Sequence, residues 1–509
     1  MLTTLTAPAF AQRWDIEKGD ITVKAGEAEG PNEVKQGDND FVKDEGETII
    51  TGTSNENTVT IDTSEGNVDV TFDDLKIDAS SRGYKDPTDT GKAAVSVTGK
   101  GDTNIELNGD NELSGSGAHA ALEHNQTVDG EGNGELTIQD KDKNGSLTAT
   151  GGIQNGAGIG AGGYGVSSGK IEITGGDITA IGGKSAAGIG GSGYRGDADI
   201  TISGGTIRAT GGDQAAGIGG GGLYGSGNIT ITGDAVIEES IGGSSGAGAG
   251  NSTGGAGIGG GAGGHGTIDI SGNAQVKNAL GKDGGAGIGS GHDGDGNVTI
   301  SGNATIENAE GGKFAAGIGG GYGGDSNVTI SGNAKIDNVS GGMQAAGIGG
   351  GSFGDGTITI KDNAAIGTVT GGSYGAGVGG GALGVGDVTI EGNVTIKGRS
   401  KNMLLGPNGQ NIYPEEIEDK LNNLPYVAES IIVQQNEKLV GLVYPDFDDA
   451  FAHGLQQTDI EKAMEANRNE LNLLLPAYCQ ITKVKIHFEE FEKTAKKSIK
   501  RFMYQEAKG

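Results

Sequence analysis

Cysteine is nearly absent. Cys479 is the only one in 509 residues, so no intramolecular disulfide framework holds this chain together. Proline is scarce too, at 8 residues, which excludes a collagen-like Gly-X-Y repeat and a proline-rich linker. Aromatic residues make up 4% of the chain, and no run of about 18 apolar residues is present to cross a membrane as a helix. Basic charge is also in short supply: 36 Lys and Arg face 67 Asp and Glu, a net charge of −31. A field of that sign repels phosphate backbones, so nucleic acid is not an expected partner.

Glycine is what the chain has in excess, at 106 residues. Six of them lie from Gly398 onward and 100 precede it. Charge divides at the same place, with a net −28 over residues 1–397 and −3 over 398–509. Two modules of different composition therefore meet near residue 395. Residues 1–12 form a separate leader, in which Ala9-Phe10-Ala11 has the small-x-small form of a signal-peptidase site. A basic n-region and a full apolar h-region are missing, so it reads either as a disordered terminus or as the rear of an export signal.

The phrase Ala-Gly-Ile-Gly recurs with its central residue at Ile159, Ile189, Ile218, Ile258, Ile288, Ile318, Ile348 and, as valine, Val378. The intervals are 30, 29, 40, 30, 30, 30 and 30, the long one holding an inserted Gly/Ser tract around Ser244–Gly254. Each copy holds three short stretches of alternating apolar and polar residues, as in Asn297-Val298-Thr299-Ile300. Such stretches are too short for helices and are separated by glycine turns. One copy cannot bury its own apolar face, but stacked copies can. The expected fold is mainly β: a three-sided parallel β-solenoid, or right-handed β-helix, followed by a small α/β domain. Regular coils span 151–397, and larger irregular ones span 13–150, with Trp14 and Ile16 filling the N-terminal end. Asn273, Asn303, Asn333, Asn363 and Asn393 hold one register and read as an internal amide ladder.

Residues 13–397, with their Trp14-Asp15-Ile16 start and Ala-Gly-Ile-Gly repeats, resemble secreted bacterial glycine-rich β-helix surface proteins of a carbohydrate-binding, pectate-lyase-like kind. An aromatic or histidine follows the repeat phrase in six copies: Tyr164, Tyr194, Tyr224, His292, Tyr322 and Phe353. As a stripe these rings would stack on a polysaccharide or cell-surface glycan; alternatively they stack on one another. Clustered acids at Asp69, Asp73, Asp74 and Asp78 are candidate oxygen ligands for Ca²⁺, against the plainer reading of a solvated face. No Ser/His/Asp group marks a hydrolytic or lyase site, and no cofactor is required. The expected function is that of a non-catalytic, exported, carbohydrate-binding or adhesive surface protein.

The last 112 residues read differently. Pro414 opens a helix with acids in its first turn. Tyr426–Gln435 and Lys438–Tyr444 pair as strands. Thr458 and Glu461 form a capping box for a helix to about Leu475, and Lys483–Phe488 is the last strand. The segment resembles the mobile C-terminal domain of AMP-forming long-chain acyl-CoA synthetases. Gly398-Arg399-Ser400-Lys401 matches that family's hinge, which implies that Arg399 approaches the adenylate and Lys401 is the pivot. Gly409-Gln410-Asn411-Ile412-Tyr413 matches the loop lining the CoA path. The family ends in Thr-Pro-x-Gly-Lys, whereas here Ser498 stands at the lysine position, with Lys497 and Lys500 as the possible substitutes. ATP and CoA are implied by this resemblance only. The alternative function is thus an acyl-CoA ligase accessory, cytoplasmic, working with a separate ATP-binding domain.

Overall fold

The computed structural model describes residues 12–27, 30–80, 91–126, 134–245, 253–391, 395–396, 404–405, 411–412, 414–435, 438–473, 475, 479–493 and 499–504. The chain divides into two compact units, Met1–Ile396 and Lys397–Gly509.

The first unit is mainly β, with sheets of 24 and 14 strands among the described residues. Each regular repeat supplies three strands. Ile288–Gly289 joins the smaller sheet, and Gly296–Ile300 and Thr305–Glu310 join the larger. Every regular strand pairs in parallel with its counterpart one repeat away. The repeat phrase thereby becomes the register of the sheet: Ile159 lies opposite Ile189, Ile218 opposite Ile258, and Ile348 opposite Val378. The 40-residue interval changes nothing in this pairing: Ile218 and Gly219 lie opposite Ile258 and Gly259 all the same.

Alternation sets the burial. In Gly296–Ile300, Val298 and Ile300 are fully buried while Asn297 is exposed. Identical side chains then stack about 4.8 Å apart along the sheet, and each buried isoleucine contributes roughly 1.5–3 kcal/mol. At the N-terminal end, Trp14 is buried and its indole Nε1 donates to Asp44 Oδ2 at 2.8 Å, while Ile16 is fully buried. The smaller sheet stops there in antiparallel strands, Glu33–Gln36 against Ile21–Lys24 and Val42–Lys43 against Glu33–Gln36.

The glycine after each repeat isoleucine is fixed by contact with the next copy. Gly319 has φ +130°, and a Cβ on it would lie 2.2 Å from the Gly349 carbonyl oxygen. The same clash recurs at Gly259 and Gly349, at 1.7 and 1.8 Å. The asparagine ladder exists, with Asn303 Nδ2 donating to Asn273 Oδ1 and Asn333 Nδ2 to Asn303 Oδ1, both at 3.1 Å. It runs on the outside rather than internally, because these residues occupy an exposed corner. Asn393 lies outside the described residues.

The second unit is a three-stranded sheet with helices α1 (Pro414–Asn422), α2 (Phe447–Ala452) and α3 (Gln457–Leu473). Val427–Gln435 runs antiparallel to Lys438–Pro445, which runs parallel to Lys483–Ile486. One face of the sheet packs Ile432 and Val443 against Ile417, Leu421, Ile460, Met464 and Leu471 of the helices. The other packs Ile431, Val433, Val440 and Leu442 against Phe491. Helix α3 begins one residue before the expected cap. Asp459, rather than Thr458 or Glu461, turns its carboxylate back to accept from the Gln456 N–H at 3.2 Å. That bond, with Lys462 beside it, holds the Asp459 carboxyl below its ordinary pKa.

A methyl group at the glycine column has nowhere to go. Gly319→Ala is expected to destabilise the first unit by more than about 1 kcal/mol, since it adds a clash to an unfavourable φ. Thermal unfolding measures this. An alanine at Gly454, whose φ is +82° but which has nothing within 4 Å, separates the two effects.

Candidate functional site

Helix α1 carries a carboxylate on its buried side. Glu418 follows Ile417 and precedes Leu421, both in the core, and is itself buried. A charge there needs compensation. Arg501, from the short 3-10 turn Arg501–Met503, supplies it across 83 residues of sequence. Its Nη2 donates to Glu418 Oε2 at 2.7 Å, and its Nη1 donates to Glu418 Oε1 and, at 3.0 Å, to the Ile432 carbonyl. The Ile432 N–H donates to Glu418 Oε1 at 2.5 Å. Burial works against the guanidinium charge, but the Glu418 hydrogen bonds and the charges of Glu418 and Glu415 outweigh it, so the Arg501 pKa lies above its ordinary value. This fork ties the chain's last turn to helix α1 and to the strand Val427–Gln435.

The neighbour of the anchor is Lys500. Its backbone N–H donates to the Glu492 carbonyl at 2.7 Å, and its Nζ reaches Glu492 Oε2 at 2.9 Å. Lys493 bridges Glu429 and Glu490, and these partners raise its pKa. The basic stretch is thus a series of ion pairs wherever it is described. Asn411 sits on a strand, paired with Leu405. Arg399, Lys401, Gly409, Gln410, Tyr413 and Lys497 lie outside the described residues.

In the first unit, the six rings are placed against one another. Tyr164 stacks on Tyr194 at 5.2 Å and His292 on Tyr322 at 5.0 Å, while Tyr194–Tyr224 and Tyr322–Phe353 meet edge to face. They do not share one register, and the run breaks at the copy where Gly263 lies under the Tyr224 ring. The position five residues after the repeat isoleucine turns left-handed whatever its side chain, at Tyr194 (φ 60°), Leu223 (51°), Asp293 (57°), Phe353 (69°) and Leu383 (66°).

The four acids weighed as candidate Ca²⁺ ligands against a plain solvated face have partners in their own surroundings. Asp73 pairs with Arg13 and accepts from Asn108, Asp69 accepts from Asn104, Asp74 from the Asp110 N–H, and Asp78 from the Ser80 N–H. Among the described residues, one group of three carboxylates brings its oxygens within 4.8 Å of one another: Glu106, Asp140 and Asp142. These hold their own turn. Glu106 accepts from the Lys141 N–H, Asp140 from the Asn144 and Gly145 N–H groups, and Asp142 from the Asn144 amide.

A buried polar cluster at 119–125 escaped sequence reasoning. Glu123 accepts from the Ala120 N–H and the Asn125 amide, both at 3.1 Å, and lies 2.8 Å from His119 Nδ1. Beside it, His124 is buried; its Nε2–H donates to the Gly134 carbonyl at 3.0 Å, and its Nδ1 has no partner among the described residues. Burial pushes the His124 pKa down, more than the Gly134 hydrogen bond raises it. A Leu-Glu-His triplet on one strand, with two consecutive polar residues after an apolar one where alternation would bury only one of them, was the available signal.

Residues 402–507 match the family model for the AMP-binding enzyme C-terminal domain. Among solved structures, the chain resembles an ATP-bound RpMatB–BxBclM chimera at 19% identity and TM-score 0.18, covering 21% of this chain and 20% of that one. It also resembles a Mycobacterium tuberculosis fatty acyl CoA synthetase at 21% identity and TM-score 0.16, covering 21% of this chain and 19% of that one. The chain therefore spans about a fifth of the length of these structures. No curated protein matches the chain. The family match overturns the expectation of a non-catalytic carbohydrate-binding or adhesive surface protein and favours the ligase alternative.

Two measurements follow from this geometry. Glu418→Ala leaves the largely buried Arg501 charge with only the Ile432 carbonyl and the more distant Glu415, a loss expected to cost up to about 3–5 kcal/mol. Hydrogen exchange of the Val427–Gln435 amides reads it as lost protection. In the first unit, the unfolded His124 titrates near about 6.5 and the folded one lower. Between those values the unfolded chain binds the extra proton, so stability falls as pH drops below about 6.5. His124→Gln should flatten that limb of the unfolding midpoint against pH.

Proposed function

We propose that residues 397–509 serve as the small C-terminal domain of an AMP-forming acyl-CoA ligase, acting on a separate ATP-binding domain. The observation that carries this reading is the coincidence of the 402–507 family match with an independently compact unit, Lys397–Gly509. The first unit, in this reading, is a three-sided parallel solenoid that serves as a scaffold. A reaction consuming ATP and CoA belongs in the cytoplasm.

Adenylation joins an acyl carboxylate oxygen to the α-phosphorus of ATP and expels pyrophosphate. Negative charge builds on the phosphate oxygens, and a cation placed there lowers the barrier. Ser498 cannot provide that charge, so the task falls to Lys500 or Lys497. Lys500 is suited to it by its pairing: its side chain is a third exposed and its partner Glu492 more than half exposed. Such a pair is worth only about 0–1 kcal/mol, so a phosphate competes for the ammonium at little cost. Arg501 meanwhile fixes the backbone beside it through Glu418. Arg399 and Lys401 take the hinge roles and Gly409–Tyr413 the CoA path, all by resemblance to the family.

The test mixes the full chain with an acyl-CoA synthetase ATP-binding domain stripped of its own small domain, and follows pyrophosphate release and acyl-CoA formation. Addition of the chain should restore turnover, and Lys500→Ala should lower it by about 10²–10³-fold if this lysine carries the charge. A wild-type rate from Lys500→Ala and a loss from Lys497→Ala would move the role to Lys497. No restoration by the intact chain would sink the reading.

A further inference from the structure

On the second unit three phenylalanines gather. Phe447 packs on Tyr444 at 5.8 Å and is half-buried against the helical core. Phe451 lies 6.0 Å from Phe447, one turn along α2, and Phe488 stacks on Phe447 at 6.3 Å with an interplanar angle of 16°. The outer two are open to solvent, Phe451 at 53% and Phe488 at 56%. Exposed aromatic pairs mounted on an anchored third ring form the kind of rigid apolar centre on which interfaces concentrate their energy.

The border is acidic. Asp448 follows Phe447 in α2 and Glu489 follows Phe488; both are exposed. Asp449 lies on the other side of the helix from Phe447 and Phe451, where His453 is turned onto it at 3.2 Å. Between Pro445 and Gly454 no Lys or Arg occurs. The nearest lysine in sequence beyond Phe488 is Lys493, already engaged by Glu429 and Glu490. We propose that this patch docks a basic amphipathic segment of a separate polypeptide, with apolar side chains on Phe451 and Phe488 and Lys or Arg against Asp448 and Glu489.

Charge selects this occupant. Phosphate backbones and anionic lipid headgroups are repelled by the rim. A second copy meeting the patch symmetrically would bring the same carboxylates face to face, which costs affinity. The first module, with its net charge of −28, is no better match. A guanidinium or ammonium satisfies the carboxylates and the aromatic faces together. The surface stands independently of the ligase reading.

The experiment uses the full chain and a fluorescein-labelled synthetic helix bearing leucines on one face and Lys/Arg on the other, followed by anisotropy at physiological salt. A control peptide keeps the leucines and replaces the bases with glutamate. The basic peptide should bind and the control should not. The double variant F451S/F488S should weaken binding at least about tenfold. The charge variant D448N/E489Q should weaken it and flatten its salt dependence, with circular dichroism confirming the fold of each. Absence of binding to the wild-type chain overturns the proposal. So does undiminished binding by the double variant, because the peptide would then be held by the acidic first unit.

Discussion

The first unit depends on how closely one repeat's backbone approaches the next. At Gly259, Gly289, Gly319 and Gly349 the space a Cβ would need is filled by the carbonyl of the following glycine, 1.7–2.2 Å away. Only a residue without a side chain lets the two backbones meet there. Register, burial and the isoleucine columns follow from this contact: once glycine lies on glycine, the preceding isoleucines must stack. The polar exterior repeats the same economy. Asp325 N–H donates to Asp295 Oδ1 and Asp355 N–H to Asp325 Oδ1, while Asp295 N–H donates to His265 Nδ1, so a polar side chain at one corner satisfies the backbone of the next copy.

The pattern was legible in the sequence because a parallel stack converts sequence period directly into sheet register. A spacing of 30 between isoleucines is the spacing between partners, and the lengthening before Ile258 was readable as an inserted Gly/Ser tract because it broke the interval without breaking the phrase. Which way a corner faces was not legible. The asparagines keep perfect period, but period says nothing of inside or outside, and their exposure comes from the corner on which they sit. The aromatic residues, open in the sequence either to an exposed stripe or to stacking on one another, were left undecided for a related reason. Spacings of four, five and six residues after the phrase look equivalent in text, yet they place rings at different points of a left-handed turn, where they meet each other first.

The second unit was legible in its elements and in its resemblance, and much less so in its interior. Pro414 and the paired strands came out where composition placed them. The ion pair at its centre did not, because Glu418 and Arg501 are separated by most of the domain and Arg501 hides in a run of bases. A carboxylate between Ile417 and Leu421 on an otherwise apolar helix face was the clue. It calls for a buried cation, and only three-dimensional packing says which one.

The two units thus solve stability by opposite means, and this bears on what each is free to do. In the regular coils of the first, the same backbone contacts recur from one copy to the next. In the second, one buried fork orders the end of the chain, and the residue next to it is tied only by an exposed pair. Rigidity in Arg501 and looseness in Lys500 are complementary. A cation that must leave one anion for another needs a fixed backbone beneath it and a weak partner beside it. An exposed carboxylate such as Glu492 is weak enough to be displaced, whereas Glu418, with three hydrogen-bond donors in the interior, is not. In the proposed ligase reading, the mobile cation therefore sits where the architecture is least repetitive.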